Sequence, residues 1–376
     1  MNPQLEKHLD KVLISASITL IMLGIIFIYS ASGPFCRFLN PPRPSWHFMV
    51  RQAIWAAFGL GIMFAAYRLN YEFLVKISPA LLLISVAGLL AVLSLSHANI
   101  KRWINVGGFT FQPSEYFKLA GIAFMARIAG KMTGGVKNYR KSLPAIGLLM
   151  LGTFLVLIEP DLGTAALIMA VLISLLFLIG FPKRHLALIV IAGLGAAAIL
   201  VFGLKYEKDR VDSYLTTLEN PFSDQASYQT RQSLVSLGSG GLVGKGLANG
   251  GQKHLFLPAR HTDFILSAAA EEGGFLIVMV ILGLFGVVAW SGGRIAAAAV
   301  DTEGAVLSWG MMLFIIVQGA INVAVALGLF PITGITLPFL SYGGSSIVAC
   351  SAAVGVAASV ARRGRMPRRY FKRLKA

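Results

Sequence analysis

The chain has 376 residues, of which 56% are hydrophobic and only 13% charged, and its mean hydropathy is +0.73. A soluble globular domain carries about 25% charged residues, so this composition excludes one and predicts a polytopic membrane protein of the all-α class. The formal net charge of +17 does not point to nucleic acid, because eight of the 33 Lys and Arg fall in the last fifteen residues, directly after an apolar segment. A basic run in that position marks the cytoplasmic flank of a span and favours anionic lipid head groups. The two cysteines are Cys36, in a predicted outer loop, and Cys350, inside an apolar segment, so no disulfide framework or cysteine metal site is expected.

In chain order, the segments predicted to span a bilayer are 12–32, 52–68, 77–96, 114–130, 143–158, 163–181, 185–204, 264–290, 304–328 and 344–361. Each is near the ~20 residues that cross a hydrocarbon core. The first ends in Ser30-Ala31-Ser32, which looks like a cleavage site, but its length fits a retained helix better than the short core of a signal peptide. An even number of spans puts both termini on one side. With that side cytoplasmic it holds 20 Lys and Arg against 12 outside, and 7 of the 12 lie in the long connection 205–263, which counts little in the positive-inside rule. Both termini are therefore expected in the cytoplasm. Residues 1–376 form one transmembrane domain with a large outer loop between the seventh and eighth helices and a basic tail, 362–376.

Glu115, Lys118 and Arg127 interrupt the fourth segment, so it is expected within the bundle with its polar face turned inward. Glu115 and Lys118 are three apart and can pair on one face, either as a structural pair or as part of a site. The inner connections are short and basic. The outer ones gather glycine, proline, acids and amides: Lys101–Lys118, Glu159–Gly163, the long loop, and Leu329–Ser346. Irregular backbone at membrane depth survives only where protein buries it or it lines a wet cavity, so these four pieces are expected to converge on one outward-facing site. Leu329–Ser346 has no charge, and Pro331, Gly334, Pro338, Gly343 and Gly344 bar a regular helix, which predicts a re-entrant or surface-lying loop. The glycine-rich run Ser236–Gly251 satisfies neither the dinucleotide nor the Walker pattern and lies in no βαβ unit. A mobile, glycine-hinged segment over the site is expected there instead of a nucleotide pocket.

The sharpest chemistry lies in Pro258–Glu272, where Arg260, His261 and Asp263 run straight into an apolar segment. Charged groups cost about 2.5–3.5 kcal/mol near the centre of a membrane helix on insertion scales, so those that persist have a task or a partner. On a continuous helix, Ser267, Glu271 and Gly274 would share the stripe of Asp263 while Glu272 faces the other way. His261-Thr262-Asp263 is equally an ordinary helix start signal, and the residues alone leave capping and catalysis even. With Lys101, Arg102, Lys118, Arg231 and Arg260 as candidate neighbours, Asp263 would be one base among several cations. A group-transfer substrate outside a cytoplasmic membrane must bring its own activation, and a lipid-linked diphosphate does. The carboxylate would take a proton from an attacking sugar hydroxyl, while cations, or a divalent metal such as magnesium or manganese, neutralise the departing diphosphate. An aspartate with a pKa of about 3.9 is a poor base unless burial raises it, and nearby cations pull the other way.

Several stretches resemble the RodA/FtsW/SpoVE family, the SEDS proteins of shape, elongation, division and sporulation. They are RWINVGGFTFQPSE with Lys118, EPDLGTA, YQTRQS followed by GSGGLVGKG, FLPARHTDFI with AAEEGGF, and GLFPITGITLPFLSYGGSS, and together they cover nearly the whole chain. The wording before HLFLP and in LPFLSYGGSS is more like the FtsW division branch than the RodA elongation branch. The resemblance implies a ten-helix fold in the bacterial cytoplasmic membrane and a peptidoglycan glycosyltransferase that polymerises lipid II. It also implies a cognate class B penicillin-binding protein within the division or elongation machinery. By the same resemblance Asp263 matches the essential acid, Glu115 and Lys118 the QPSE stretch and its following lysine, and Arg102 the Arg of the RW pair. Arg231 and Gln232 fall on the YQxxQS line, His261 in HTDF, and Ser341 and Tyr342 on the SYGGSS line, all as substrate-binding positions. The family usually has Glu after the proline of the FLPExHTDF run, whereas this chain reads Pro258-Ala259-Arg260, which leaves open any metal-binding or loop-docking role of that position. Two other classes fit the residues: a lipid II flippase or transporter, which needs important polar groups on both faces, and a non-enzymatic scaffold, which tolerates neutral residues at 118 and 263.

Overall fold

The computed structural model describes residues 8–95, 102–106, 109–132, 142–159, 161–203, 208–220, 223, 227–251 and 257–364; Lys101 and the basic tail from 365 onwards lie outside them. A helix occupies each of the ten predicted segments: α1 Leu9–Arg37, α2 His47–Arg68, α3 Tyr71–Leu95, α4 Pro113–Lys131, α5 Leu143–Ile158, α6 Leu162–Leu178, α7 Lys183–Ala198 with a π turn to Gly203, α10 Ile265–Ala297, α11 Thr302–Ala326 and α12 Gly344–Gly364. Seven of them are long and apolar enough to cross a membrane, α5 and α6 are shorter apolar helices, and α4 carries Glu115, Lys118, Arg127 and Lys131. Cys36, expected in a loop, is buried in the last turn of α1, because that helix runs five residues past its predicted end.

Four elements were not expected. Ile104–Val106 (β1) and Phe109–Phe111 (β2) pair antiparallel, as aromatic and β-branched residues on either side of a Gly-Gly step do. The long loop contains two helices, α8 Lys208–Glu219 and α9 Tyr228–Ser239, the second capped by Ser227, whose hydroxyl accepts from Thr230 N.

Burial sorts the bundle. In α12 83% of the apolar window is buried, against 11% in α7, so α12 is central and α7 faces the surroundings. The α2 and α12 backbones meet closely: a Cβ on Gly355 would lie 2.3 Å from Met63 O, and one on Gly59 3.0 Å from Ser351 Oγ. Small residues that let backbones approach are how helices associate where lipid removes the hydrophobic drive. At the end of the bundle away from Asp263 the helices are fastened in pairs: Tyr67 OH donates to Asp10, Tyr71 OH to Asp301, and Arg363 pairs with Glu72.

The uncharged connection after α11 is re-entrant. A Cβ on Gly24 would lie 2.5 Å from Phe339 O and 2.8 Å from Leu340 Cα. Gly24 is thirteen residues from the Arg37 end of α1, or about 20 Å along it at 1.5 Å per residue, so this loop enters the bundle rather than lying across it.

The expectation of a mobile glycine cover is corrected. The helix α10 breaks at Gly274, whose φ of 68° and ψ of −167° leave backbone groups unpaired in an apolar segment. The glycine run fills the break: Lys245 N and Gly246 N donate to Glu271 O and Glu272 O, while Phe275 N and Leu276 N donate to Gly241 O and Leu242 O. Only glycines allow that approach, since a Cβ on Gly244 would lie 2.2 Å from Glu272 O and one on Gly274 2.4 Å from Gly244 N. The segment is stitched into the helix because a broken membrane helix must find replacement partners. The side chains follow: Glu271 takes Lys245 Nζ at 2.7 Å and Gly251 N at 2.8 Å, and Glu272 takes the Ser30 hydroxyl on α1 at 2.6 Å.

Candidate functional site

Asp263 sits in the turn that leads into α10. Ala259, at a φ of 50°, turns the chain so that its carbonyl accepts from Thr262 N, Phe264 N and the Thr262 hydroxyl. Phe264 is the residue before the first helical position and α10 has no side-chain cap, so the capping alternative for His261-Thr262-Asp263 is set aside. The peptide of Asp263 is held by α11, where Asn322 Nδ2 donates 2.8 Å to Asp263 O and 2.8 Å to Ile335 O of the re-entrant loop.

The carboxylate faces the other connections. A Cβ on Gly334, itself at a φ of 74°, would stand 4.0 Å from Asp263 Oδ2 and 3.5 Å from Arg102 Nη1, so acid and guanidinium meet over a glycine floor. Burial raises the Asp263 pKa from 3.8 to about 6, against lowering contributions from the Thr262 hydroxyl, Arg102 and Arg210, with Asp161 adding to the rise. The tension between poor base and nearby cations thus resolves in favour of burial. Arg102 is buried; its Nε lies 3.8 Å from Asp161 Oδ2 and donates 3.4 Å to Glu159 O. Asp161 also caps α6 through Thr164 N. Glu159, just beyond α5, is pushed up to about 8 by burial and by Asp161, which outweigh Arg102.

A second polar group lies one turn away along the same face of α11. Lys118 Nζ is 2.8 Å from Glu115 Oε1, donates 3.1 Å to Gln318 Oε1 and stands 4.6 Å above the Phe314 ring, with both charged residues 5% exposed. Gln318 Nε2 in turn reaches Thr336 O at 3.0 Å and the Ser346 hydroxyl at 3.2 Å. Gln318 and Asn322 are one helical turn apart and therefore share a face. Through them α11 gathers the QPSE helix, the re-entrant loop, the start of α12 and Asp263 into one connected cluster, which is the convergence expected from the connections. Among the described residues no group of three or more His, Cys, Asp or Glu comes together as a metal site. The counter-charge beside Asp161 and Asp263 is the Arg102 guanidinium.

Residues 11–366 match the FtsW/RodA/SpoVE family, described as cell cycle proteins. The chain belongs to this family. It is 36% identical over 361 residues to the stage V sporulation protein E of Bacillus subtilis, spanning 95% of this chain and 98% of that one. It is 33% identical over 365 residues to a probable peptidoglycan glycosyltransferase FtsW of Geobacter sulfurreducens, spanning 96% of each. Among solved structures, a chain from a study of how a peptidoglycan synthase complex coordinates polymerization and crosslinking superposes with a TM-score of 0.73 at 26% identity, over 94% of this chain and 98% of that one. RodA, the rod shape determining protein of Thermus thermophilus, superposes with a TM-score of 0.69 at 27% identity, over 94% and 97%.

Within this family member the remaining sequence-predicted residues divide. His261 packs, tilted, in an aromatic cluster, with ring centroids 4.8 Å from Phe48 and 5.6 Å from Phe35, and burial and Arg260 lower its pKa to about 4, so it is neutral at pH 7. The Ser341 hydroxyl donates to Thr262 O and accepts from Leu337 N, and Tyr342 N donates 2.9 Å to His261 O. Both therefore clamp the HTDF turn to the re-entrant loop, helped by Gln52 of α2, which donates to Ser341 O and accepts from Gly343 N. Arg231 lies over the Tyr228 ring at 5.6 Å, and Gln232 is half-buried beside it on α9. The cations whose charges reach Asp263 are Arg102 and Arg210, in place of the wider set expected: Lys118 is held by Glu115 and Gln318, and Arg260 is buried toward Cys36. Sequence reasoning missed Arg210, Gln52, Gln318 and Asn322. The three amides carried a readable signal, being uncharged polar groups inside apolar spans.

Proposed function

We propose that the chain is a peptidoglycan glycosyltransferase that polymerises lipid II on the outer face of the bacterial cytoplasmic membrane. The carrying observation is the half-buried Asp263 carboxylate, raised toward neutrality and set against Arg102 at the meeting point of four polar connections in a membrane bundle. Family membership and relatives named as peptidoglycan glycosyltransferases support the reaction. In the step proposed, Asp263 takes the proton of the acceptor sugar hydroxyl as that oxygen attacks the anomeric carbon of the donor. The bond from that carbon to the diphosphate breaks, and undecaprenyl diphosphate leaves with the bonding pair. Arg102 stabilises the developing negative charge, and Glu115 with Lys118 shapes the lipid-level channel.

All ten bundle helices span the membrane in this reading. Both termini lie in the cytoplasm, a placement supported by the 20 to 12 distribution of Lys and Arg, and the α8–α9 loop faces outward with the site. A class B penicillin-binding protein supplies crosslinking; the similarity to a chain studied in a polymerization and crosslinking complex supports such a partner. The relatives named FtsW favour a role in division.

The test is the purified chain in liposomes with lipid II, with and without a class B partner. Glycan strands should form, and Asp263→Asn should form none while inserting normally. Lipid movement across the bilayer without polymer would favour a flippase instead.

A further inference from the structure

A cavity lies outside the cluster just described. A cleft of about 390 Å³ opens between α8, the first turn of α9 and the Pro331–Ile332 segment of the re-entrant loop, within the roughly 300–1,000 Å³ of small-molecule sites. Its walls are braced. Tyr214 OH on α8 donates 2.8 Å to Leu329 O, Ser227 N at the start of α9 donates 3.0 Å to the Thr217 hydroxyl of α8, and the Ser233 hydroxyl on α9 donates 2.7 Å to Ala326 O at the end of α11.

Asp209, Arg210, Ser213, Tyr228 and Gln229 line the opening. Among these lining groups one carboxylate offsets one guanidinium, and the rest are hydroxyls, an amide and the phenol ring of Tyr228, over which Arg231 lies at 5.6 Å from outside the lining. A diphosphate site would need cations in excess, whereas this lining suits a neutral, polyhydroxylated ligand with an apolar ring face. The cleft also leads to the acid. Ile332 forms its wall and Gly334 lies against Asp263, two residues on, or at most about 7 Å of extended chain. Arg210, on its lip, is one of the two cations whose charge reaches Asp263.

We infer that this cleft is a saccharide subsite, holding the sugars of the glycan next to the reacting unit, and that it governs strand length; the inference rests on the glycosyl-transfer reading of Asp263. In that reading the lipid tail stays with the apolar spans and the diphosphate beside Arg102, while the part of the substrate that projects into the loop region is sugar. A strand released after each addition has to be recaptured from solution, whereas one whose neighbouring sugars stay bound keeps its reactive end beside the acid.

The experiment uses the full chain in liposomes with lipid II and compares wild type with Tyr228→Ala, Tyr228→Phe and the cleft-filling Ser213→Trp. At equal lipid II consumption, mean strand length should fall at least threefold in Tyr228→Ala and Ser213→Trp, and Tyr228→Phe should restore it. A lipid-free tetrasaccharide of the glycan should inhibit wild type and lose at least tenfold in potency against both shortened variants. Unchanged strand length and unchanged inhibition in both would overturn the inference. So would a defect confined to stimulation by an added partner protein, which would make the cleft a protein-docking surface. Absence of polymer from wild type would instead overturn the functional reading, and direct binding of the tetrasaccharide, followed by saturation-transfer NMR, would still test the cleft.

Discussion

Replacing Asp263 by Asn removes the base and a cost of folding together. The acid is raised from 3.8 to about 6 chiefly by burial. A folded-state pKa above the unfolded one means that the folded chain favours the protonated acid. That contribution is complete below about pH 4 and is lost as pH rises through about 6. Two units at 1.36 kcal/mol each amount to about 3 kcal/mol at pH 7.5, and solvent screening of a half-buried group trims this to about 1–3 kcal/mol. Asn stays neutral and keeps an oxygen for the Thr262 hydroxyl, so Asp263→Asn should melt higher than wild type at pH 7.5 and level with it near pH 4. Wild-type polymerisation should rise about tenfold per pH unit below 6 and level off above, while the variant makes no strands at any pH. Thermal melts in detergent and lipid II polymerisation between pH 4 and 8 read both. A variant that melts lower than wild type at pH 7.5, or wild-type activity that is flat from pH 5 to 7, would refute the reasoning.

Lys118→Met leaves Glu115 buried without its cation and should cost roughly 3–5 kcal/mol, with Glu115→Gln/Lys118→Met recovering most of it in thermal melts. If the pair also shapes the channel, the double variant regains stability without regaining polymerisation. Gly274→Ala puts a Cβ 2.4 Å from Gly244 N and from Leu242 O at a φ of 68°. It should destabilise by more than the roughly 1–3 kcal/mol of backbone strain alone, and hydrogen exchange at Phe275 and Leu276 should quicken as the stitched segment lifts away. Asn322→Leu strips the donor from Asp263 O and Ile335 O; the melting temperature should drop by an amount worth about 2–4 kcal/mol for two unpaired carbonyls, and polymerisation should fall at least tenfold as the turn holding the acid loosens.

The helices were legible because a run of about 20 apolar residues carries its own signal: a helix occupies each of the ten predicted segments, and seven of them are long and apolar enough to cross a membrane. The convergence of the connections was legible too, since irregular polar backbone next to lipid has to be buried. The environment of Asp263 was less so. Its neighbours come from positions 102, 161, 210 and 334, and no spacing rule reports which of several cations a fold turns toward an acid. Helical stripes misled at one point. Asp263 precedes α10 in place of sharing its face with Ser267 and Glu271, and those two are spent holding α9 and the glycine run, through Ser233 and Lys245. The glycines of 240–246 read as freedom when taken alone; beside the break at Gly274 they are what permits close contact.

The two non-helical pieces in this bundle satisfy their backbones by different means, and the difference explains where the missed residues lie. The break in α10 is healed by another backbone, which needs glycine but no particular side chain. The re-entrant loop follows an irregular path that no second strand can track, so its carbonyls at 335, 336 and 341 are met one at a time by side-chain amides from α11 and α2. An amide that reaches a carbonyl also offers its oxygen, and the two glutamines use theirs: Gln318 takes Lys118 and Gln52 takes Gly343 N. An uncharged amide within an otherwise apolar span thus marks non-helical backbone on a neighbour. In this chain that backbone carries Gly334, the floor on which Asp263 and Arg102 meet.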